Sequence, residues 1–398
     1  MDRVDLVTTG VAVGGAALAR DGDGRVVFVE GALPGERVSA EIVATKRSYR
    51  SARVIEVLDS SPGRIEPVCP EVARGCGGCD LAYASGDEQR NVKASIVGDA
   101  LRRIGRIEAP PPIDPGPDLA TTGFRTTVRA GVRGGRAGLR RRHSHDLVEV
   151  ASCRVAHPLV DDLLTGGRYP GSAEVTIRVG ATTGDRAVVV DGSPADVDVP
   201  GDVTVTTRDG EVAIVDEVGG HPFRISPRSF FQTRNDGAQA LVDVVGDAMR
   251  RSPHGTMVDL CCGVGLFAAT VGETFDRVVA VESNRSAIAD ARVNLAHLGP
   301  RAVVTHSAFE RWVPEEADVV VADPSRVGLG RDGVDRVVGT GASTVVLVSC
   351  DAGSLGRDAR LFVDSGYSLE ALTLVDLFPD TAHVEVVSVF CRVESGDT

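Results

Sequence analysis

The chain has 398 residues, which implies two or three domains, and its 42% hydrophobic content with 46 glycines is the profile of packed globular domains with many tight turns. A net charge of −13 excludes a uniformly basic nucleic-acid coat, and no apolar run approaches the ~18 residues of a membrane span. The one leader-like stretch, Val11 to Leu18, follows Asp2 and Asp5 and is broken by Gly14 and Gly15, so it reads as a strand and the protein is expected in the cytoplasm.

Residues 1–59 alternate apolar and polar positions between glycine turns, as in 25–30 and 37–42, which predicts a small antiparallel barrel. Lys46, Arg47, Tyr49, Arg50 and Arg53 interleave cations with an aromatic ring, a pattern suited to single-stranded RNA and equally to a solvated barrel face. Residues 60–228 read as a β-rich central domain. It opens with Cys69, Cys76 and Cys79 in a glycine-rich loop, where disulfides are not expected in a cytosolic chain. Three such thiols with a distant fourth, Cys153, suit a [4Fe–4S] cluster, with zinc as the alternative. An amphipathic helix over 85–107, able to pack on the last domain, ends at the proline-rich linker 109–115.

From Thr121 to Val150 seven arginines face only Asp146 and Glu149. Because Lys46 and Lys93 are the only lysines, composition explains the choice of arginine but not its clustering, and a phosphate-facing surface is expected. Strands at 175–179 and 186–190 continue the central domain.

After residue 229 strands and helices alternate, the signature of an α/β fold with a doubly wound, Rossmann-like sheet. The strand at 257–260 breaks into Cys261-Cys262-Gly263-Val264-Gly265, and the strand at 278–281 ends in Glu282, where a carboxylate can accept from ribose hydroxyls. Together they predict a nucleoside-cofactor site. The run 345–349 ends at Cys350, the strand 319–322 ends at Asp323, and Glu385 precedes another apolar run. Taken singly, Glu385 reads as a solvated strand residue and Asp323 as a cap. Three functional groups at three strand ends around one cofactor site make a catalytic constellation. Cys261, Cys262 and Cys391 have the ordinary role of small buried hydrophobes.

These residues resemble the RNA 5-methyluridine methyltransferases, class I S-adenosylmethionine-dependent enzymes with a TRAM barrel and an iron–sulfur cluster. Pro34-Gly35-Glu36 is similar to the TRAM turn, Ser229-Phe230-Phe231-Gln232 to the segment in which an aromatic enters the RNA and a glutamine contacts the methyl donor, and Asp323-Pro324-Ser325-Arg326 to the family's Asp-Pro-Pro-Arg loop. The resemblance implies Cys350 as nucleophile and Glu385 as base. Gln232, Cys261, Gly263, Glu282 and Asp323 would line the donor site, with Asp323 also holding the uracil edge. Cys69, Cys76, Cys79 and Cys153 would ligate the cluster. It further implies a tRNA or rRNA partner, and a monomer is expected. The sequence departs from the pattern at Phe124, Cys261, Leu266, Ser307, Ser325 and Asp351-Ala352, so a non-catalytic RNA-binding iron–sulfur protein of the same fold stands as the alternative.

Overall fold

The computed structural model describes residues 2–393. Strands β1 (Arg3–Val11), β2 (Ala17–Arg20), β3 (Val26–Glu30), β4 (Arg37–Thr45) and β5 (Tyr49–Asp59) close into a barrel in the order β1-β2-β3-β5-β4. The alternation creates its interior: Leu6, Ala19, Val27, Val29, Val38 and Ala40 point inward and are buried, small enough for a narrow barrel. The expected antiparallel pairing holds with one exception, since β3 and β5 run parallel with Val26 opposite Tyr49. The cause is topological. β4 leaves β3 to close the barrel against β1, and β5, antiparallel to β4, returns in the direction of β3.

The Pro34-Gly35-Glu36 turn anchors this barrel to residues 61–64, just beyond β5. Gly35 adopts φ 81°, a left-handed conformation that favours glycine. Glu36 is fully buried and accepts from Leu33 N at 2.8 Å, from Ser61 N at 3.2 Å and from two N–H groups of the Arg64 guanidinium. Burial pushes its carboxyl up, but Arg64 and the backbone N–H groups outweigh that and hold it below the usual range.

After the one-turn helix α1 (Pro70–Ala73) comes α2 (Gly86–Arg103), and then β6 (Ile113–Pro115). The central sheet has the order β12-β11-β10-β7-β8-β9, built from β7 (Thr127–Arg133), β8 (Arg136–Arg140), β9 (Leu147–Val148), β10 (Glu174–Val179), β11 (Arg186–Val190) and β12 (Thr204–Thr207). Helix α3 (Pro158–Gly166) buries Val160, Leu163 and Leu164 against it. The arginine-rich block falls on this sheet, yet much of its charge is met within the protein. Arg129 and Arg140 pair with Glu174, and Arg142 with Glu30 of the barrel. A single unbroken phosphate-facing surface is therefore not what the cluster forms. Sequence-distant carboxylates neutralise part of it.

The last unit holds the hairpin β13 (Ile214–Val218) and β14 (His221–Ile225), followed by α4 (Asn235–Met249), β15 (Thr256–Leu260), α5 (Leu266–Ala269), β16 (Arg277–Glu282), α6 (Arg285–Asn294) and β17 (Ala302–His306). It continues with β18 (Val319–Ala322), α7 (Gly330–Gly339), β19 (Thr344–Ser349), α8 (Ala352–Asp364), β20 (Tyr367–Leu374) and β21 (Val386–Arg392). The sheet order is β17-β16-β15-β18-β19-β21-β20-β6, parallel from β17 to β19 and antiparallel at β21. Strands buried on both faces explain the near-continuous valine runs.

One face is covered by α2, α7 and α8, the other by α4, α5, α6 and the hairpin. Helix α2 starts at a Ser85–Glu88 cap and crosses α8 where a Cβ on Gly356 would lie 2.7 Å from Ala100 O. The proline-rich stretch expected as a linker supplies the edge strand β6, parallel to β20, a place where proline is tolerated. The hairpin, on the central-domain side of the expected boundary at residue 229, packs Phe223 and Ile225 into the same core as α4 and α6.

Two buried cations clamp the loop between β20 and β21. Lys93, fully buried on α2, binds the Asp376 carboxylate and donates to Phe378 O at 2.8 Å. Arg234, 1% exposed, donates to Leu377 O at 3.2 Å, to Ala120 O and to Asp236, and stacks 4.1 Å from the Phe124 ring. Gln89 exchanges hydrogen bonds with Asp380. Removing one partner of such a pair strands the other, so Lys93→Met is expected to cost about 2–3 kcal/mol, the low end because Asp376 is partly exposed. A shift of the urea unfolding curve measures it, and an unshifted curve would show that the clamp does not stabilise the fold.

Candidate active site

Strands β15, β16, β18 and β19 deliver their carboxyl ends to one rim, with β16 on one side of β15 and β18 on the other. An open α/β sheet binds ligands at such a switch point. A cavity of about 690 Å³ opens there, lined by Gly263, Glu282, Asp323, Cys350 and Glu385, and also by Cys79, Phe124 and Arg125 of the central domain.

The cofactor loop is tightly wound: Cys261, Gly263 and Gly265 adopt φ 66°, 56° and 90°. Two glycines meet this at little cost. Cys261 does so as a strained non-glycine residue, the kind of strain that gathers at functional sites. The loop exposes backbone to the cavity while the Gly263 N–H donates to Glu282 Oε2 at 3.0 Å. Glu282 Oε1 accepts from Ser283 N and Asn284 N at 2.7 and 2.6 Å, which fixes the carboxylate at the strand end with lone pairs still available to vicinal hydroxyls. Ser307 N binds Glu282 O at 2.9 Å, and its side chain lines the same wall. Behind the loop lies a residue to which local sequence pattern assigns no role: Asp259 is fully buried on β15, with Oδ2 accepting from Ala268 N at 2.9 Å and Oδ1 without a partner. Its burial pushes it up to about 7.

Opposite the loop, Asp323 follows β18, Cys350 follows β19 and Glu385 precedes β21. Strands β19 and β21 are antiparallel neighbours, with Ser349 opposite Val386, so the nucleophile candidate and the base candidate leave adjacent strands at one rim. The intervening β20 separates them in sequence but not in space, which is why no local pattern brings them together. Gln232 Nε2 donates to Asp323 Oδ2 at 3.3 Å. Burial pushes Asp323 up to about 7, and burial together with Asp323 raises Glu385, which is 4% exposed, well above the carboxylate range. The Cys350 thiol is pushed up to about 12 by burial, then by Glu385 and Asp323, against the pull of the Arg326 guanidinium. The cavity thus favours protonated groups.

The central domain closes the other wall. Cys79 lines the cavity, whereas Cys69, Cys76 and Cys153 lie behind it. The four thiols nevertheless share one neighbourhood: after burial and the charge of Asp380, Cys79 is raised by Cys153, Cys76 and Cys69, and after burial Cys153 is raised by Cys76. No three of the four sulfurs lie within 4.8 Å of one another. Next to Cys79, Leu81 N donates to Asp380 O at 2.8 Å and Asp80 Oδ1 accepts from Ala382 N at 3.0 Å. The cysteine loop therefore grips the segment that leads to Glu385. Phe230 is 64% exposed at the cavity mouth, while Phe231 is buried core. Asp351 caps α8, its Oδ1 accepting from Ser354 N at 2.8 Å, so the departure at Asp351-Ala352 serves a helix start.

Residues 224–330 match a family model described as methyltransferase small domain, and residues 7–55 match the TRAM domain. The chain is 34% identical to an uncharacterized RNA methyltransferase of Streptomyces avermitilis, over 97% of both chains. It is 32% identical to a 23S rRNA (uracil(1939)-C(5))-methyltransferase of Methylococcus capsulatus, over 93% of both. The crystal structure of Pyrococcus abyssi tRNA (uracil-54, C5)-methyltransferase with S-adenosyl-L-homocysteine superposes with a TM-score of 0.75, 21% identity and coverage of 97% of this chain and 99% of that one, a likeness of fold.

The raised carboxyls have a stability consequence with a definite sign. Asp323 holds its proton more tightly folded, at about 7, than unfolded, at about 4, so its contribution is full below pH 4 and lost as pH rises towards 7. Asp323→Asn removes that loss and is expected to stabilise the free protein by about 1–3 kcal/mol at pH 8, and by nothing at pH 4. Thermal melts at the two pH values test this. An equal shift at both would place the effect in packing rather than charge.

Proposed function

We propose that this chain, which belongs to the class I S-adenosylmethionine-dependent RNA methyltransferases with a TRAM domain, methylates C5 of a uridine through a covalent adduct on Cys350. The observation that carries the reading is the placement of Cys350, Asp323 and Glu385 in one desolvated cavity with the Gly263–Glu282 cofactor loop. A relative that matches over 93% of both chains is named as a 23S rRNA methyltransferase, which makes ribosomal RNA the first substrate to test.

Uracil C5 is too weak a nucleophile for direct methylation. Cys350 gives up its proton to solvent through the open mouth of the cavity and, as thiolate, adds to C6, and the electron pair of the C5–C6 double bond moves onto C5 and O4. S-adenosylmethionine supplies an electrophilic methyl group held by a sulfonium, and Gln232, Cys261, Gly263, Glu282 and Asp323 would hold it beside that carbon. Once C5 carries the methyl group, the Glu385 carboxylate removes the C5 proton. The freed pair restores the double bond and the C6–S bond breaks, returning the thiolate. The desolvation that raises Glu385 makes its ionised form a strong proton acceptor. Arg326 lies near enough to favour the thiolate and to meet a phosphate. Asp323 would accept from the uracil edge, and Phe230 at the mouth would replace stacking lost when the base leaves the RNA. The departures behind the non-catalytic alternative do not obstruct this, since Asp351 serves as a cap and Ser325 is exposed at the rim.

For the cysteine loop we infer a [4Fe–4S] cluster on Cys69, Cys76, Cys79 and Cys153. The four soft donors share one neighbourhood, the setting a cluster with thiolate ligands needs. It would hold the loop whose Asp80 and Leu81 grip the approach to Glu385.

Three outcomes test these readings. Cys350→Ala is expected to abolish both 5-methyluridine formation and the adduct trapped on RNA containing 5-fluorouridine. Glu385→Gln is expected to form a denaturation-resistant protein–RNA band on ordinary RNA, with release slowed about 10²–10⁴-fold; normal turnover, or lost activity with no band, would remove Glu385 from the role. Anaerobically purified protein is expected to be brown, with about four iron and four sulfide per chain, and stoichiometric zinc without sulfide would overturn the cluster.

A further inference from the structure

On the outer face of the last domain, away from the cavity, two imidazoles meet one carboxylate. His221 Nε2 lies 3.4 Å from Glu273 Oε2, and His297 Nε2 lies 3.3 Å from Glu273 Oε1. The three come from separate segments: His221 opens β14, Glu273 sits in the single turn after α5, and His297 follows α6. Among the described residues this is the one group of three histidine, cysteine or acidic side chains whose ligand atoms all lie within 4.8 Å of one another.

We propose that His221, Glu273 and His297 bind a divalent transition-metal cation of the zinc type, which staples the β13–β14 turn to the elements behind the cofactor loop. The spacing is compatible with an ion held between the two imidazoles and the carboxylate. Zinc with nitrogen and oxygen ligands at 2.0–2.2 Å in a tetrahedron sets its ligands about 3.4 Å apart, which the two histidine–carboxylate distances match. A charge-assisted hydrogen bond would close to roughly 2.7–2.9 Å.

Orientation supports the same reading. His297 Nδ1 lies 3.0 Å from Asn294 O; in the tautomer that carries its proton there, Nε2 presents its lone pair, the arrangement in which ligating imidazoles are ordinarily held. Nε2 also lies 3.2 Å from Ala269 O, the acceptor it would use if it carried the proton. The two rings lie with centroids 4.9 Å apart, tilted by 32°, both facing Glu273. Exposure of Glu273 and His297 leaves a fourth position open to water. Two imidazoles and a carboxylate with an open place suit zinc or cobalt and offer no thiolate.

The site reaches the cofactor loop through one residue. Asn294 Oδ1 accepts from Arg224 N at 2.8 Å, and its Nδ2 donates to Val264 O at 2.9 Å and Arg224 O at 3.2 Å. A cation held by His297 therefore fixes the helix end that buttresses Val264 and β14 together.

The test is equilibrium dialysis of the anaerobically purified full chain against zinc, with elemental analysis, beside His221→Ala and Glu273→Gln. Wild type is expected to take up one zinc per chain, to melt at a higher temperature with zinc than without, and to lose about 100-fold or more in zinc affinity in either variant, with iron content unchanged. Glu273 is exposed, so Glu273→Gln tests ligation even if His221→Ala disturbs the hairpin. No zinc uptake by wild type overturns the site. So does zinc retained at full affinity by Glu273→Gln, which would place it on other ligands such as the cysteines.

Discussion

The cavity depends on keeping two carboxyl groups and a thiol out of water within reach of one another. Burial raises Asp323 and Glu385, Asp323 raises Glu385 further, and after burial both raise Cys350, so the free site carries protons that a working site must shed. Such a site cannot be left to a mobile loop, because water entering it would restore ordinary acidity. Lys93 and Arg234, both sealed from solvent, hold residues 376–378 from two sides, while Gln89 and Asp80 hold residues 380–382. The cost of burying two cations is offset by full hydrogen bonding to fixed partners, the condition under which buried charge is tolerated.

That support comes from three regions of the chain. Helix α2 reaches in from before the central sheet, Arg234 comes from the segment after the hairpin, and Asp80 adjoins the cysteine loop. Geometry at the reactive rim therefore rests on contacts between residues nearly 300 positions apart, such as Gln89 with Asp380. The central domain supplies one wall of the cavity.

Legibility in the sequence was a matter of locality. Strand-end residues Glu282, Asp323 and Cys350 could be read because a valine run announces where a buried strand stops, and Gly263 and Gly265 because a left-handed turn favours glycine. Glu385 was weaker, since one acid before an apolar run looks solvated until β21 is seen between β19 and β20. Non-local pairing was out of reach. The parallel β3–β5 pair, the edge strand β6 inside a proline-rich stretch, the neutralisation of Arg129 and Arg142 by Glu174 and Glu30, and the roles of Lys93 and Arg234 all depend on partners that no window of sequence contains. The histidine pair was silent for the same reason, its three side chains being contributed by three separate segments.

The place of β6 at the far edge of the large sheet sets an order for synthesis. Its partner β20 begins at Tyr367, and the crossing of α2 with α8 awaits residues beyond Ala352. At the ordinary pace of translation, about 5–20 residues per second, α2 emerges on the order of tens of seconds before the surface it covers exists. Through that interval Val92, Ile96, Val97 and Leu101, all buried in the finished protein, have no partner from the later strands. The nascent chain must therefore be kept from aggregating until its C-terminal third arrives, while the barrel, whose strand pairings are complete within residues 3–59, can close as soon as it clears the ribosome.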